Sequence, residues 1–202
     1  MKKLETKSIV VKKYQYQKNQ GTVPNDKENI LNRDFSADTV FKKLVTVITY
    51  IHVVNEEWIY LASVMDLYDR KIIGWAYGKN ITAELATQAV KNACLNIPDT
   101  TGIVLHSELE SQYTSEEFEK YLQDQGMLHS FSRKGNPYDN TCIESFHSVL
   151  KKKEVYTTTY YTFEESKSAL FEYIESFYNR KRRHSALDYK TPQQVEDEAL
   201  AA

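Results

Sequence analysis

The sequence predicts an α/β fold in which a mixed five-stranded sheet is flanked by helices and followed by a C-terminal helical extension. Three observations support this. Segments rich in β-branched and aromatic residues open the core. The hydrophobic period then changes to that of a helix near residue 82. After that, short apolar runs alternate with helical segments, so the predicted order is βββ-α-β-α-β-α and then a further helix.

The first three strands are predicted to form an antiparallel meander. They are LVTVITYIHVV (44–54), WIYLASVMDL (58–67) and KIIGWAYG (71–78). Short polar turns separate them, which favours hairpin connections. The first two strands are almost continuously hydrophobic, and this predicts that both faces of the sheet are covered.

Helices and strands alternate in the next part of the chain. Apolar residues of segment 82–97 fall on one helical face, namely Leu85, Ala86, Ala89, Val90 and Ala93. The runs GIVLHS (102–107) and MLHSFS (127–132) are predicted to be buried strands. A capping box from Thr114 to Glu117 is predicted to open the helix between them.

The last third of the chain is predicted to be helical. Asn140 is a candidate cap for a helix that follows the loop at 135–137. On that helix the core-facing residues are predicted to be Ile143, Phe146 and Leu150. A second capping box, Thr162 to Glu165, opens a long helix. The apolar stripe of that helix is predicted to contain Leu170, Tyr173, Ile174 and Phe177.

These elements predict three regions: an N-terminal arm or linker (1–40), a core (41–155) and the helical extension (156–202). No apolar run approaches the length of a membrane span, and the basic N-terminus lacks the apolar stretch of a secretory signal. The two cysteines, Cys94 and Cys142, are too few for a disulfide framework or a Cys-x-x-Cys zinc site. We therefore expect a cytoplasmic protein that contacts no membrane.

The net charge of −2 alone does not indicate a nucleic-acid partner, but the charges are segregated. Basic clusters occur at 133–134, 151–153 and 180–184, whereas acidic residues gather between 108 and 119. Such segregation is typical of a basic face for phosphates beside an acidic pocket for cations. The alternative is that these runs are solvated faces of helices.

Four motifs then follow one another in a fixed order across residues 40–195. They are HSELESQYTS (106–115), SRKGNPYDN (132–140) with IESF (143–146), YNRKRRHS (178–185), and Thr191-Pro192. The first resembles the H-S-D-x-G-S-Q-Y-x-S signature of integrase-core transposases from bacterial insertion sequences, and the other three are similar to later blocks of that family. Each motif alone is weak evidence, but their shared order and spacing are specific.

The resemblance implies a ribonuclease-H-like integrase catalytic core over 41–155. It also implies a mechanism in which three carboxylates, Asp-Asp-Glu, hold two Mg²⁺ or Mn²⁺ ions for attack on a phosphodiester. In this family 35 residues separate the second and third acids, the same interval as residues 109–143 here. By resemblance, Glu144 matches the third acid and Glu108 stands at the position of the second.

The sequence departs from the family pattern at three positions of this site. Val47 occupies the place of the first Asp and has no ligand atom. Glu108 is longer than Asp by one bond of about 1.5 Å, and catalytic groups tolerate displacements of only about 0.5 Å. Glu110 replaces a glycine, and would strain the turn if that glycine has positive φ. We expect weak metal binding, unless Glu110 compensates as a ligand.

The resemblance therefore implies a protein for DNA transposition and integration, by phosphodiester strand transfer, whose own catalysis is impaired. The alternatives are a non-catalytic DNA-binding or assembly partner of an active transposase and a folded relic without function. Implied partners are transposon ends and target DNA, with a homo-oligomer in a synaptic complex. The candidate DNA-binding residues are Arg133, Lys134, Lys151, Lys152, Arg180, Arg183 and His184.

Several side chains near this site have two interpretations. On the helix of Glu144, either His147 or Ser148 is predicted to face the metal site together with Lys151. His106 either donates hydrogen bonds to the acidic site or is a satisfied core histidine. Asp66 is expected to have a structural partner.

Overall fold

A computed structural model describes residues 27–133 and 137–201. Its centre is one five-stranded sheet with the strand order β3-β2-β1-β4-β5. The strands are β1 (Lys43–Val53), β2 (Glu57–Asp66), β3 (Ile72–Gly78), β4 (Val104–Ser107) and β5 (Leu128–Phe131). Strands β1 to β3 pair antiparallel, whereas β4 runs parallel to both β1 and β5. The predicted mixed sheet is confirmed.

Five α-helices surround or follow this sheet. They are α1 (Ala83–Cys94), α2 (Glu116–Asp124), α3 (Thr141–Leu150), α4 (Phe163–Phe171) and α5 (Pro192–Ala201). A π-helical segment continues α3 over Lys151–Val155, and another continues α4 over Glu172–Tyr178. Short 3₁₀ turns occupy Pro137–Asp139 and Ser185–Leu187.

The sheet separates two apolar cores, because successive side chains of a strand point to opposite faces. Leu44 on β1 packs in the core that includes α1 and α2. Val45 and Val47 pack in the opposite core, with residues of α3 and α4. At Gly74 the backbone of α1 lies so close that an added Cβ would be 2.4 Å from the backbone nitrogen of Ala93. Both faces are covered, as the sequence predicts.

The two predicted capping boxes differ in outcome. Thr162 caps α4, and its side chain accepts a hydrogen bond from the Glu165 backbone N–H at 3.2 Å. The prediction for α2 is wrong by one residue, because Ser115 caps that helix and accepts from the Phe118 N–H at 3.3 Å. Either hydroxyl has the chemistry of an N-cap, and the backbone turn after Tyr113 determines which one lies at the helix start.

Two further helical predictions need correction. Asn140 precedes α3, but its side chain forms no capping hydrogen bond. In the last long helix, Leu170, Tyr173 and Ile174 are buried as predicted, whereas Phe177 is exposed and Tyr178 is buried instead. The wider π-helical turn over Glu172–Tyr178 shifts the inward face by one residue.

The segment before β1 contacts the far edge of the sheet. The Phe131 N–H donates to the Glu28 carbonyl at 2.9 Å, and the Leu31 N–H donates to the Ser130 hydroxyl at 2.9 Å. Leu31 is buried in the core beside Val45. Across 27–133 and 137–201, no helix combines the length and apolarity needed to cross a bilayer.

Candidate metal centre and nucleic-acid interface

The predicted acid positions lie on three elements that meet on one side of the sheet. Val47 lies in β1, Glu108 directly follows β4, and Glu144 lies in the first turn of α3. Strand β4 is the parallel neighbour of β1. The Val47 side chain packs in the same core as Ile143, the residue before Glu144. The fold therefore brings the three positions to one region.

Glu108 has an unfavourable environment for a negative charge. Burial, followed by the charges of Glu110 and Glu144, raises the pKa of its carboxyl to about 7. The Asn140 amide acts in the opposite direction, although it makes no hydrogen bond of normal geometry. A nearby cation would favour the ionised form of Glu108.

Glu110 does not have the positive φ that would strain a glutamate at this turn. Its carboxylate accepts a hydrogen bond from the Gln112 side-chain amide. Burial raises the pKa of Glu110. This residue adds negative charge beside Glu108, but its carboxylate already has a protein partner.

Val47 gives the first acid position an entirely apolar character. The side chain is 8% exposed and belongs to the core formed with α3 and α4. Its partner on β2 is Ser63, and the Ser63 hydroxyl lies 3.2 Å from Nε2 of His147. Burying an ionised carboxylate at this position would be costly unless a bound cation neutralised its charge.

The residues present do not form a complete two-ion centre. Carboxylate oxygens of Glu108 and Glu144 have the hard character that Mg²⁺ and Mn²⁺ prefer. However, the described part of the chain contains no group of three His, Cys, Asp or Glu side chains placed to hold a metal ion. Two carboxylates neutralise only half the charge of two dications, so these residues do not fit a pair of such ions.

The structure distinguishes between His147 and Ser148, the two candidates for the residue of α3 that faces the metal site. His147 is buried, and this burial lowers the pKa of its imidazole to about 3. Ser148 is exposed, like Glu144. The ammonium of Lys151 lies over the Tyr50 ring, 4.0 Å from its centroid. Ser148 therefore shares the open face of Glu144, and His147 packs against β2.

His106 is a satisfied core histidine rather than a donor to the acidic site. The side chain is fully buried, with Nδ1 2.8 Å from the Ser130 hydroxyl and Nε2 3.0 Å from the Ser132 hydroxyl. Asp66 likewise has structural partners, since it accepts from the backbone N–H groups of Phe41 and Tyr68 at 2.7 and 2.9 Å.

Arg133 has a structural partner beside its predicted role on DNA. It pairs bidentately with buried Asp139, with nitrogen–oxygen distances of 2.9 and 2.8 Å. Arg33 adds a third contact to the same carboxylate at 2.8 Å. These arginines hold the pKa of Asp139 well below its usual range. The neighbouring Lys134 lies outside the described residues.

The remaining predicted DNA contacts divide by exposure. Lys152, Arg180 and Arg183 are exposed, whereas His184 is half-buried. Sequence reasoning missed Arg70 and Arg182, whose charges both act on His184. Arg182 belongs to the predicted basic cluster, but a run of charges does not show which member turns inward. Arg70 lies in the turn before β3, and no motif marks it.

The fold is ribonuclease-H-like, as the sheet order and the parallel β1–β4 pair show. Acidic residues follow β4 and lie on α3. Family models described as "Integrase core domain" match residues 38–137 and 125–192. The chain belongs to the integrase-core family of insertion-sequence transposases.

Curated relatives agree with this assignment. The chain is 38% identical over 168 residues to the transposase for insertion sequence element IS904 of Lactococcus lactis, covering 83% of this chain and 66% of the relative. It is 36% identical over 174 residues to transposase InsF for IS3A of Escherichia coli, covering 86% and 60% respectively. The chain thus spans less than two thirds of the length of these relatives.

A solved structure shows the same fold. The HTLV-2 integrase catalytic core domain, solved in complex with magnesium, matches with a TM-score of 0.60 and 13% identity. The match covers 80% of this chain and 99% of that chain. At this level of identity the likeness concerns the fold alone.

Proposed function

We propose that this chain is the DNA-binding core of a transposase whose own strand-transfer chemistry is impaired. The observation that carries the proposal is Val47, an apolar side chain packed at the position where the family has its first acid. The related transposases support DNA transposition as the process. The site keeps two of the three oxygen donors, Glu108 and Glu144.

The proposal includes weak binding of Mg²⁺ or Mn²⁺ by Glu108 and Glu144. Burial, followed by the charges of Glu110 and Glu144, raises the pKa of Glu108, and a cation beside this carboxyl would favour its ionised form. The missing donor at Val47 supports weak affinity. Transposon ends and target DNA are the proposed substrates, and a homo-oligomer in a synaptic complex is the proposed assembly.

A second candidate is a non-catalytic DNA-binding or assembly partner of an active transposase. The observation that favours it is the good packing of Val47, which leaves the core intact beside a site that lacks a ligand. Such a protein would keep its DNA contacts and its oligomer interface while losing cleavage. The two candidates differ in whether any cleavage remains.

The test measures DNA binding and DNA cleavage separately, on duplexes carrying the ends that flank its own gene. The restored variant is Val47→Asp with Glu108→Asp and Glu110→Gly. A matched control carries Val47→Asn instead, because Asn has nearly the shape of Asp without its charge. We expect the restored variant to cleave DNA in the presence of Mg²⁺ at a rate at least 100-fold above that of the unmodified chain and of the control. DNA binding should be similar for all three proteins.

Other outcomes decide against one or both candidates. Cleavage by the unmodified chain at the rate of the restored variant would contradict impaired catalysis. Slow but measurable cleavage favours an impaired transposase, and binding without cleavage favours the non-catalytic partner. Absence of both binding and cleavage by a folded protein would contradict both. Thermal unfolding with and without Mg²⁺ shows whether each variant is folded.

A further inference from the structure

A site lined by positively charged side chains lies on the other side of α3 from Glu144. It is a cavity of about 260 Å³ between α3, the turn before β3 and the segment around His184. Its polar lining includes Arg70, Arg182, His184, Thr141 and Ser145. No Asp or Glu lines it among the described residues. The cavity therefore concentrates positive charge and hydrogen-bond donors without a carboxylate to balance them.

Three nitrogen atoms of this cavity are buried without a hydrogen-bond partner. They are Nη1 of Arg70, Nε of Arg182 and Nε2 of His184. Neither arginine forms a salt bridge with any residue in the described ranges. A buried donor left unsatisfied is costly, and more so when it is charged. Two guanidinium donors and one imidazole nitrogen without a partner at one cavity indicate a missing acceptor.

The donors are held in place by neighbouring contacts. Arg70 donates from Nη2 to the Phe35 carbonyl at 3.4 Å. The His184 backbone N–H donates to the Lys190 carbonyl at 3.0 Å, and the His184 ring packs edge-on against Tyr178 with 5.0 Å between centroids. A ligand would therefore meet a site that is already organised, which limits the entropy lost on binding.

We propose that this cavity binds a phosphate group, supplied by the DNA backbone. Two guanidinium groups and an imidazole suit a tetrahedral oxyanion, since arginine donates two hydrogen bonds in one plane. The hydroxyls of Thr141 and Ser145 add donors at the rim. The identification of DNA as the source rests on the proposed function, whereas binding of the phosphate group itself does not.

His184 gives the site a measurable response. Burial, followed by the charges of Arg182 and Arg70, lowers the pKa of its imidazole to about 4. A bound phosphate would offset those two positive charges. The imidazole pKa then rises, which NMR of the ring nitrogens detects without any substitution.

The first experiment uses inorganic phosphate as the probe and the full chain without DNA. Calorimetric titration and thermal unfolding measure binding by the unmodified protein, by Arg182→Gln and by Lys120→Gln. Lys120 is the control, because it is an exposed cation on α2, away from the cavity and outside the candidate DNA contacts. We expect Arg182→Gln to weaken phosphate binding at least 10-fold and Lys120→Gln to change it less than 2-fold. A higher His184 pKa in phosphate gives the same answer if Arg182→Gln fails to fold.

The second experiment repeats the comparison with a DNA duplex. We expect Arg182→Gln to weaken DNA binding and inorganic phosphate to compete with the duplex. Equal phosphate affinity of Arg182→Gln and Lys120→Gln, together with an unchanged His184 pKa, would overturn the site. Phosphate binding with equal DNA affinity of the two variants would overturn DNA as its source. Phosphate binding by a protein that binds no DNA would overturn the proposed function and leave the anion site intact.

Discussion

At the scale of single residues, Asp69 is a buried acid outside the candidate metal centre. It is fully buried, and its Oδ1 accepts from the Lys71 N–H at 2.8 Å while Oδ2 has no hydrogen-bond partner. Burial, together with the charge of Asp66, raises the pKa of Asp69 to about 8. The folded protein thus holds a proton there that the unfolded chain, with an ordinary pKa of 3.8, releases earlier.

This difference predicts how stability changes with pH. The contribution of Asp69 is complete below about pH 4 and is lost as the pH rises towards 8, because the folded state binds more protons across that window. Asp69→Asn keeps the acceptor for Lys71 and removes the ionisation. We expect this variant to gain about 2–4 °C in Tm over the unmodified protein at pH 8, relative to their difference at pH 4.

Thermal unfolding at pH 4, 6 and 8 checks this prediction. Asp38→Asn is the control, since Asp38 is an exposed acid outside both apolar cores. The same pH slope for Asp69→Asn and the unmodified protein would show that Asp69 does not control stability in this range.

Residue-scale prediction from the sequence depends on motifs that fix spacing. The interval of 35 residues predicts that Glu108 and Glu144 share a site, and in the structure the charge of Glu144 contributes to the raised pKa of Glu108. That Arg70 and Arg182 line the same cavity cannot be predicted from the sequence. More than one hundred positions separate them, and only the packing of the folded chain brings them together. The N-cap of α2 shows the same limit locally, since two adjacent hydroxyls have equal capping chemistry.

At the scale of elements, the outer edge of β3 is closed by a side chain. Asn179 accepts from the Ile72 N–H and donates to the Ile72 carbonyl, both at 3.0 Å. This amide imitates a neighbouring strand and satisfies two backbone groups that an edge strand would leave open. Asn179 belongs to the YNRKRRHS motif, so part of that motif has a structural role.

We expect Asn179→Ala to lower the free energy of unfolding by about 2–4 kcal/mol, because it leaves two buried backbone groups of Ile72 unsatisfied. Asn92→Ala is the matched comparison, since the Asn92 amide donates a single bond to the Trp75 carbonyl of the same strand, at 2.8 Å. Urea unfolding measures both variants, and hydrogen exchange of the Ile72 amide reports the edge directly. An Asn179 variant no less stable than the Asn92 variant would contradict the proposed closure of the edge.

Apolar runs rich in β-branched and aromatic residues predicted all five strands to within a few residues, because these strands are buried over much of their length. Helical periodicity failed within the last long helix. The π-helical turn over Glu172–Tyr178 buries Tyr178 and exposes Phe177, and a period of 3.6 residues cannot predict that change. Regular helices and strands can thus be predicted from the sequence, whereas a local change of helical geometry depends on the tertiary packing around it.

At the scale of the whole molecule, a net charge of −2 has to be compatible with DNA binding. Most acids of 108–119 lie at the β4 end and on α2, whereas the basic residues follow α3 and α4. Steering depends on the local potential rather than on the total charge. Such a surface is expected to bind DNA with a marked dependence on salt concentration.

This charge separation predicts that lysines are not interchangeable across the surface. Lys152 and Lys120 are both exposed, but Lys152 follows α3 and Lys120 lies on α2 among acids. We expect Lys152→Gln to weaken DNA binding several-fold and to reduce the slope of log affinity against log salt by about 0.9, the value for one phosphate contact. Lys120→Gln changes the net charge equally and should leave the slope unaltered. If both variants lose affinity alike, total charge rather than its placement controls binding, and the interface next to α3 is wrong.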